Sequence, residues 1–340
     1  MDKLKTLITA LIALFIIGFF VWAILPKDNF GDKISTKLQK EKEKADVVFK
    51  EATFAEIYDG IKYWELIAKT SDVNKSIGIA NLYLVDGLFF DKGRPTIKFL
   101  SPAAVWRIND NEIYLTDPIG YDIKYEKIVK GELEKVKDIS RLSSVFHLSE
   151  SVGNKYEGYW FSAKNLDWKL STKKLFCSGA ISLTKGNFVI NAQKLESDTG
   201  LEKVLLTGRP SGEIYSNNEK VTVVADTFFV DSILNIISAD QKVTITKNKV
   251  KITAARAVYN QKLDTFDLFG DVFLTDGEIT AFSNNASYDI KNNKIVLMNK
   301  AKAVRNGNEV YGDKMSVFLG QNKIIIEGRT KAKIKETEIK

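Results

Sequence analysis

The sequence is poor in the residues that carry most enzymatic chemistry. Its 340 residues include one histidine, His147, and one cysteine, Cys177. A zinc centre takes about four nitrogen or sulfur ligands at recognisable spacing, so no metal site is expected. A Cys/His nucleophile pair would have to use these two residues unassisted. Cys177 lies in KLFCSGAISL beside apolar residues and reads as a buried strand thiol, and His147 has no obvious acid partner. One cysteine excludes an internal disulfide framework and leaves the redox compartment unread.

Also missing are a phosphate-binding P-loop, a dinucleotide-binding glycine run after a strand, and a G-x-S-x-G nucleophile elbow, so no cofactor is expected. Asp226, Asp231, Asp264 and Asp267 leave open an acid/base pair on a β-solenoid carbohydrate enzyme. Acids here mostly occupy turns and wet strand positions, and the expectation is that the chain is not an enzyme. Arginine clusters are absent too. The net charge is +7, from 50 Lys and Arg against 43 Asp and Glu. The basic residues are overwhelmingly lysines interleaved with acids, which argues against nucleic acid and for a solvated lysine surface. Such a surface weakly favours anionic partners, phosphorylated lipids included.

What is present begins with Thr6 to Leu25, a run without a charge. A helix of about 20 apolar residues spans roughly 30 Å, the thickness of a bilayer's hydrocarbon core. The run is expected to be a transmembrane helix after a short cytoplasmic tail, residues 1–5. The alternative is a cleaved signal peptide, whose apolar core is usually about 7 to 15 residues. Lys3 and Lys5 precede the run, while Lys27, Lys33, Lys37, Lys40, Lys42 and Lys44 follow it. That count alone would keep the body in the cytoplasm, but long domains translocate largely regardless of charge. The outward orientation is therefore adopted against the charge count. Residues 26–46 mix lysine and glutamate and read as a charged stalk.

The remainder, 44% hydrophobic and 27% charged over the whole chain, suits a folded body. From Val47 it alternates as β-strands do, with residues two apart on one face. The clearest stretch is Val243 to Lys331, where KITAARAVYN, EITAFSNNASYD and EVYGDKMSVFL each open on an apolar residue, a spacer and a small residue. The pairs are Ile252 with Ala254, Ile279 with Ala281, and Val310 with Gly312. Returning strands alternate likewise: Phe266 with Leu268, Ile295 with Leu297, Ile324 with Ile326. Turns fall at Asp276-Gly277, Asn292-Asn293 and Asn306-Gly307. The small residue recurs at Ala68, Ser101, Ala163, Ala192, Ala225, Ala254, Ala281 and Gly312, with steps of about 30 residues, the mark of a stacked repeat. One gap, Ser101 to Ala163, is read as two steps with a repeat missing. There, over 123–157, the alternation breaks into a helical or irregular insertion or linker, the expected subdomain boundary.

The anchor, GIKYWELIAKTSDV from Gly60 to Val73, the strand pairs that follow, and the OstA-like repeats KITAARAVYN, EITAFSNNASYD and YDIKNNKIVLMN together resemble the LptC family of lipopolysaccharide-export proteins. Residues 47–122 resemble its membrane-anchored periplasmic β-jellyroll, and residues 158–340 are similar to the LptA/OstA-like jellyroll repeat. The resemblance implies an all-β fold, an open β-jellyroll of stacked strand pairs of about 30 residues behind one N-terminal transmembrane helix. It implies an inner-membrane, single-pass protein with its body in the periplasm, no cofactor, and lipopolysaccharide as cargo in an apolar groove. Implied partners are the inner-membrane Lpt ABC transporter subunits and a soluble LptA-like bridge protein. The chain departs from the family in length, which bears on whether it needs that separate bridge protein.

Candidate groove residues are Trp64, Leu66, Ala68, Phe99, Ile190, Ala192, Ile252, Ala254, Phe266, Leu268, Ile279, Ala281, Ile295, Leu297, Val310 and Gly312. The same residues would also serve a closed dry core. That is the alternative reading, in which the chain is a membrane-anchored β-solenoid scaffold or adhesin without lipid. Edge strands invite strand addition. Val47, Val48 and Phe49 are the expected contact for the transporter, and Ile324, Ile325 and Ile326 for the next bridge subunit.

Overall fold

The computed structural model describes residues 47–123, 159–185, 187–216, 219–321 and 323–335. The expected anchor, the stalk and all but the first residue of the 123–157 insertion lie outside them. Among the described residues no helix is long and apolar enough to cross a membrane. They form a 22-stranded antiparallel sheet.

In chain order the strands are β1 Val47–Tyr58, β2 Ile61–Asn74, β3 Ile79–Asp91, β4 Arg94–Arg107, β5 Glu112–Thr116, β6 Ile119–Asp122, β7 Tyr159–Ser162 and β8 Asn165–Lys169. There follow β9 Lys174–Lys185, β10 Phe188–Asp198, β11 Lys203–Thr207, β12 Ser211–Ser216, β13 Glu219–Val224, β14 Thr227–Asp231 and β15 Ile236–Lys247. The last are β16 Val250–Asn260, β17 Thr265–Thr275, β18 Ile279–Asp289, β19 Lys294–Arg305, β20 Asn308–Phe318, β21 Lys323–Glu327 and β22 Lys331–Lys333.

The register shows that the shorter strands are halves of longer bent ones. One arm of β4 pairs with β5 and the other with β6. In the same way β10 takes β11 and β12, and β20 takes β21 and β22. Every long strand folds once near its middle, and the whole sheet folds over along one crease. The bend is written into the backbone. Gln241-Lys242, Gly270-Asp271 and Asn299-Lys300 are consecutive residues with positive φ, and the pairing register shifts at each. These are β-bulges, which bend a strand and strengthen its twist.

The repeated small residue now has a physical reason. Ala192, Ala254 and Gly312 pair with Ile181, Val243 and Ala301, each beside a bulge, and Ala281, opposite Leu274, lies two residues from one. They stand at the crease, where the two arms converge and a long side chain has no room. A Cβ on Gly312 would lie 2.4 Å from Ile326 Cγ2. The reading of a missing repeat between Ser101 and Ala163 is corrected by the same geometry. β5 pairs with β8 and β6 with β7, so the strands carrying Ser101 and Ala163 are separated by one bent strand, like any other such pair. No repeat is lost, and the extra residues fall between β6 and β7. Through these pairings the sheet is continuous, joining the strands before and after the insertion edge to edge.

Folding gives the sheet two rims of hairpin turns. The first rim carries the turns at 92–93, 248–249, 276–278 and 306–307, and the second those at 170–173, 199–202, 232–235, 261–264, 290–293 and 319–321. Between the arms, alternate residues meet face to face. Trp64 lies edge-on to Trp106 at 5.3 Å, Phe89 stacks on Trp168 at 6.2 Å, and Phe188 contacts Phe228 at 6.2 Å. Aromatic rings fill the end nearest β1. Toward β20 the filling becomes mostly aliphatic, with Leu268, Leu274, Ile279, Ile295 and Leu297 buried.

The outer face carries one strongly shifted acid. Asp167 sits beside Glu112, Lys169 and Arg107, and burial pushes its pKa up to about 6. An acid whose pKa is raised on folding favours the folded state while protonated, and stability falls as pH rises through the window from the unfolded value near 3.8 to about 6. Asp167→Asn should remove that loss. The parent's urea midpoint should drop between pH 4 and pH 7 by more than the variant's, and the variant should be the more stable at pH 7.

Candidate functional site: the folded interior and its mouth

Fourteen of the predicted groove residues are brought together in one interior. Trp64, Leu66, Ala68, Phe99, Ile190, Ala192, Ile252, Ala254, Phe266, Leu268, Ile279, Ala281, Ile295 and Leu297 are each at most 7% exposed and belong to a single apolar cluster. Val310 is half-buried against it, and Gly312 is half-buried at the crease. Over most of its length the interior is filled by its own side chains.

It opens at the β20 end. A cavity of about 400 Å³ is lined by Ala303 and Val310 from one arm, Ile324 and Ile326 from the other, and Arg305, Asn306 and Asn308 at the rim. The three isoleucines of the predicted docking strand therefore divide: Ile324 and Ile326 face the cavity, while Ile325 points outward, 40% exposed. Strand alternation requires this split. At the opposite edge β1 pairs with β2. Val48 and Phe49 are exposed there, and Val47 is half-buried.

The mouth between the rims is closed by a row of polar contacts. Tyr159 Oη and Ser232 Oγ share a hydrogen bond, and Lys185 Nζ donates to Ser232 O at 3.2 Å. Gln261 Nε2 donates to Lys185 O at 3.2 Å, and Asn187 Nδ2 to Tyr259 Oη at 3.3 Å. Ser216 Oγ donates to Asp264, whose other oxygen accepts from Tyr259 Oη at 2.9 Å. Last, Lys247 Nζ donates to Ile290 O at 3.3 Å and to Asn293 Oδ1 at 2.5 Å, and pairs with Glu219 at 2.6 Å. Each contact joins a first-rim residue to a second-rim residue, except the Lys247–Glu219 pair on the first rim and the Tyr259–Asp264 bond on the second. Past Lys247 the rims part around a cavity of about 490 Å³, with Asp276 and Glu278 on one side and Leu319 and Gly320 on the other.

Burial pushes the hydroxyls of Tyr159, Tyr259 and Tyr288 well above the ordinary tyrosine range. Tyr159 and Tyr259 remain neutral hydrogen-bonding groups at the mouth, whereas the Tyr288 hydroxyl is buried without a hydrogen-bond partner among the described residues. A hydrogen bond to Lys247 holds Glu219 below the usual carboxylate range. Asp264 is engaged with Ser216 and Tyr259, whereas Asp267 lies on the exposed outer face. Of the four acids weighed for an acid/base pair, Asp264 and Asp267 are thus not brought together.

Sequence reasoning passed over the mouth. Its signal was a lysine continuing an inward register: Ile181, Leu183, then Lys185, and Val243, Ile245, then Lys247. Both lysines are buried, at 7% and 4% exposure.

The sheet thus folds over an apolar interior, with its outer faces wet and a cavity at one end. Residues 161–282 and, in an overlapping second match, 222–323 fit the family described as LptA/(LptD N-terminal domain) LPS transport protein. The matched stretch is a little under half of the chain and lies in its carboxy-terminal part. Among solved structures the chain is similar to LptH, the LptA homologous periplasmic component of the conserved lipopolysaccharide transport device from Pseudomonas aeruginosa. The identity is 18% and the TM-score 0.32, over 34% of this chain and 95% of that one. No curated protein matches the chain.

Proposed function

We propose that this protein is a periplasmic bridge component of lipopolysaccharide transport. The observation that carries the reading is the LptA-like domain match, lying on a sheet whose inward residues form one continuous apolar interior with an open end. Exposing a methylene to water costs about 0.8 kcal/mol, so an acyl chain of about a dozen carbons would meet a barrier on the order of 10 kcal/mol in bare periplasm. An apolar interior removes most of it.

In the finer form of the reading, Thr6 to Leu25 anchors the chain in the inner membrane with its body in the periplasm, in the manner of LptC. The exposed edge of β1 then docks on the Lpt ABC transporter, which supplies the energy. The β20–β22 end passes lipid to a soluble LptA-like bridge protein. The protein itself performs no catalysis in this reading.

A photoreactive residue at Ile326 should give lipopolysaccharide adducts in cells, because that side chain faces the end cavity. The same residue at Ile325, one position on, should give none. The packed interior favours a second reading, the anchored scaffold or adhesin without cargo. Absence of adducts at Ile326 in a folded, anchored protein would select it.

A further inference from the structure

The contacts across the mouth pair groups on two rims that are far apart in sequence, and all of them are polar. An apolar container that never opened would gain more from hydrophobic closure, because buried polar groups only break even when each is fully satisfied. Two of the groups are ammoniums. Lys185 and Lys247 point inward at the mouth and, apart from the bond of Lys247 to Glu219, the partners above come from the opposite rim or from Tyr159, whose ring lies 5.4 Å from Lys185 Nζ. If the rims part, Ser232 O, Ile290 O and Asn293 Oδ1 move away, so each ammonium gives up oxygen acceptors of the second rim, while Lys247 keeps Glu219. A phosphate supplies several, with the matching charge.

We propose that this row is a releasable seam, and that Lys185 and Lys247 bind the phosphate groups of an amphiphile whose apolar chains enter between the rims. The inference rests on the lipid-carrier reading and adds to it the groups that select the headgroup. Along the first rim the two lysines are four strand spacings apart, roughly 19 Å. They therefore form two successive stations, each holding one headgroup outside the interior. The headgroup replaces the second-rim partners named above.

The test uses the full chain purified in detergent. Ser216 and Asp264 lie on the seam between the two lysines, and their side chains already meet. In the variant S216C/D264C a disulfide, or a short bis-methanethiosulfonate link, seals the seam reversibly. Cys177 does not interfere, since it is buried and burial pushes its thiol far up. Sealing should weaken lipopolysaccharide binding at least tenfold, and dithiothreitol should restore it.

Separately, K185M/K247M should bind lipopolysaccharide about tenfold more weakly than the parent, as expected for the loss of charge-assisted bonds. It should bind a dephosphorylated lipid A probe as well as the parent does, and K185R/K247R should keep the preference for phosphate. Equal binding by the sealed and reduced forms overturns the seam. Equal losses on the phosphorylated and dephosphorylated probes, with unchanged circular dichroism, reduce the lysines to a structural role and overturn the phosphate assignment. Failure of the reduced, correctly folded protein to bind lipopolysaccharide at all overturns the carrier reading and this inference together.

Discussion

Trp168→Ala should lower the free energy of unfolding by about 3–5 kcal/mol, while Trp168→Phe should lose well under half of that. Trp168 is fully buried on one arm of the folded sheet, stacks on Phe89 of the other, and lies 6.3 Å from Tyr63. Its indole N–H donates to Thr199 Oγ1 at 3.4 Å. Truncation removes the largest surface that joins the two arms at the β1 end, and the surrounding Phe89 and Phe99, already stacked at 4.5 Å, cannot spread to fill the space. Urea denaturation followed by far-ultraviolet circular dichroism measures the loss. A value below about 1 kcal/mol would mean that the aromatic end is not a packed core.

Gly120→Ala should destabilise the protein by about 1–3 kcal/mol despite adding a single methyl group. Gly120 pairs directly with Phe161, and a Cβ there would lie 2.1 Å from Phe161 Cε1. Phe161 is 1% exposed, so its ring has nowhere to retreat. The same device recurs where Gly87 faces Phe99, with a Cβ at 2.2 Å from the ring. Phe161→Leu should recover part of the loss when combined with Gly120→Ala, although alone it destabilises. Thermal melts of the four proteins in that cycle give the coupling, and simple additivity would show that the ring and the glycine do not share the space.

Much of the strand pairing was legible from the sequence, because inward and outward positions alternate with a period that a reader can count. Ile252, Ile279 and Leu297 were assigned inward on that basis and are buried. The bend was not legible. Thr96 to Phe99 and Val105 to Arg107, two short apolar stretches in the sequence, are parts of the single bent strand β4. The small residues gave the period but not its cause, since convergence at a crease is a property of two arms and not of one strand. The gap after Ser101 was counted as a lost repeat because residue spacing cannot distinguish an absent strand from extra residues between two paired strands. Lys185 and Lys247 escaped notice because lysine on a strand reads as solvated until the opposite rim is in view. Asp264 was weighed as a catalytic acid for the converse reason: its hydroxyl partners, Ser216 and Tyr259, come from separate strands.

The continuity of the sheet from β1 to β22 has a further consequence. Neighbouring strands supply nearly all of one another's hydrogen bonds, so the molecule is a linear array in which opening at one place need not melt the rest. The end nearest β1 is cemented by stacked rings, whereas the β20 end closes on aliphatic side chains around a void. Amide exchange should therefore be graded rather than uniform, slowest around β3 to β9 and fastest at β20 to β22. The array would fray from the end at which its apolar interior is already open to the outside.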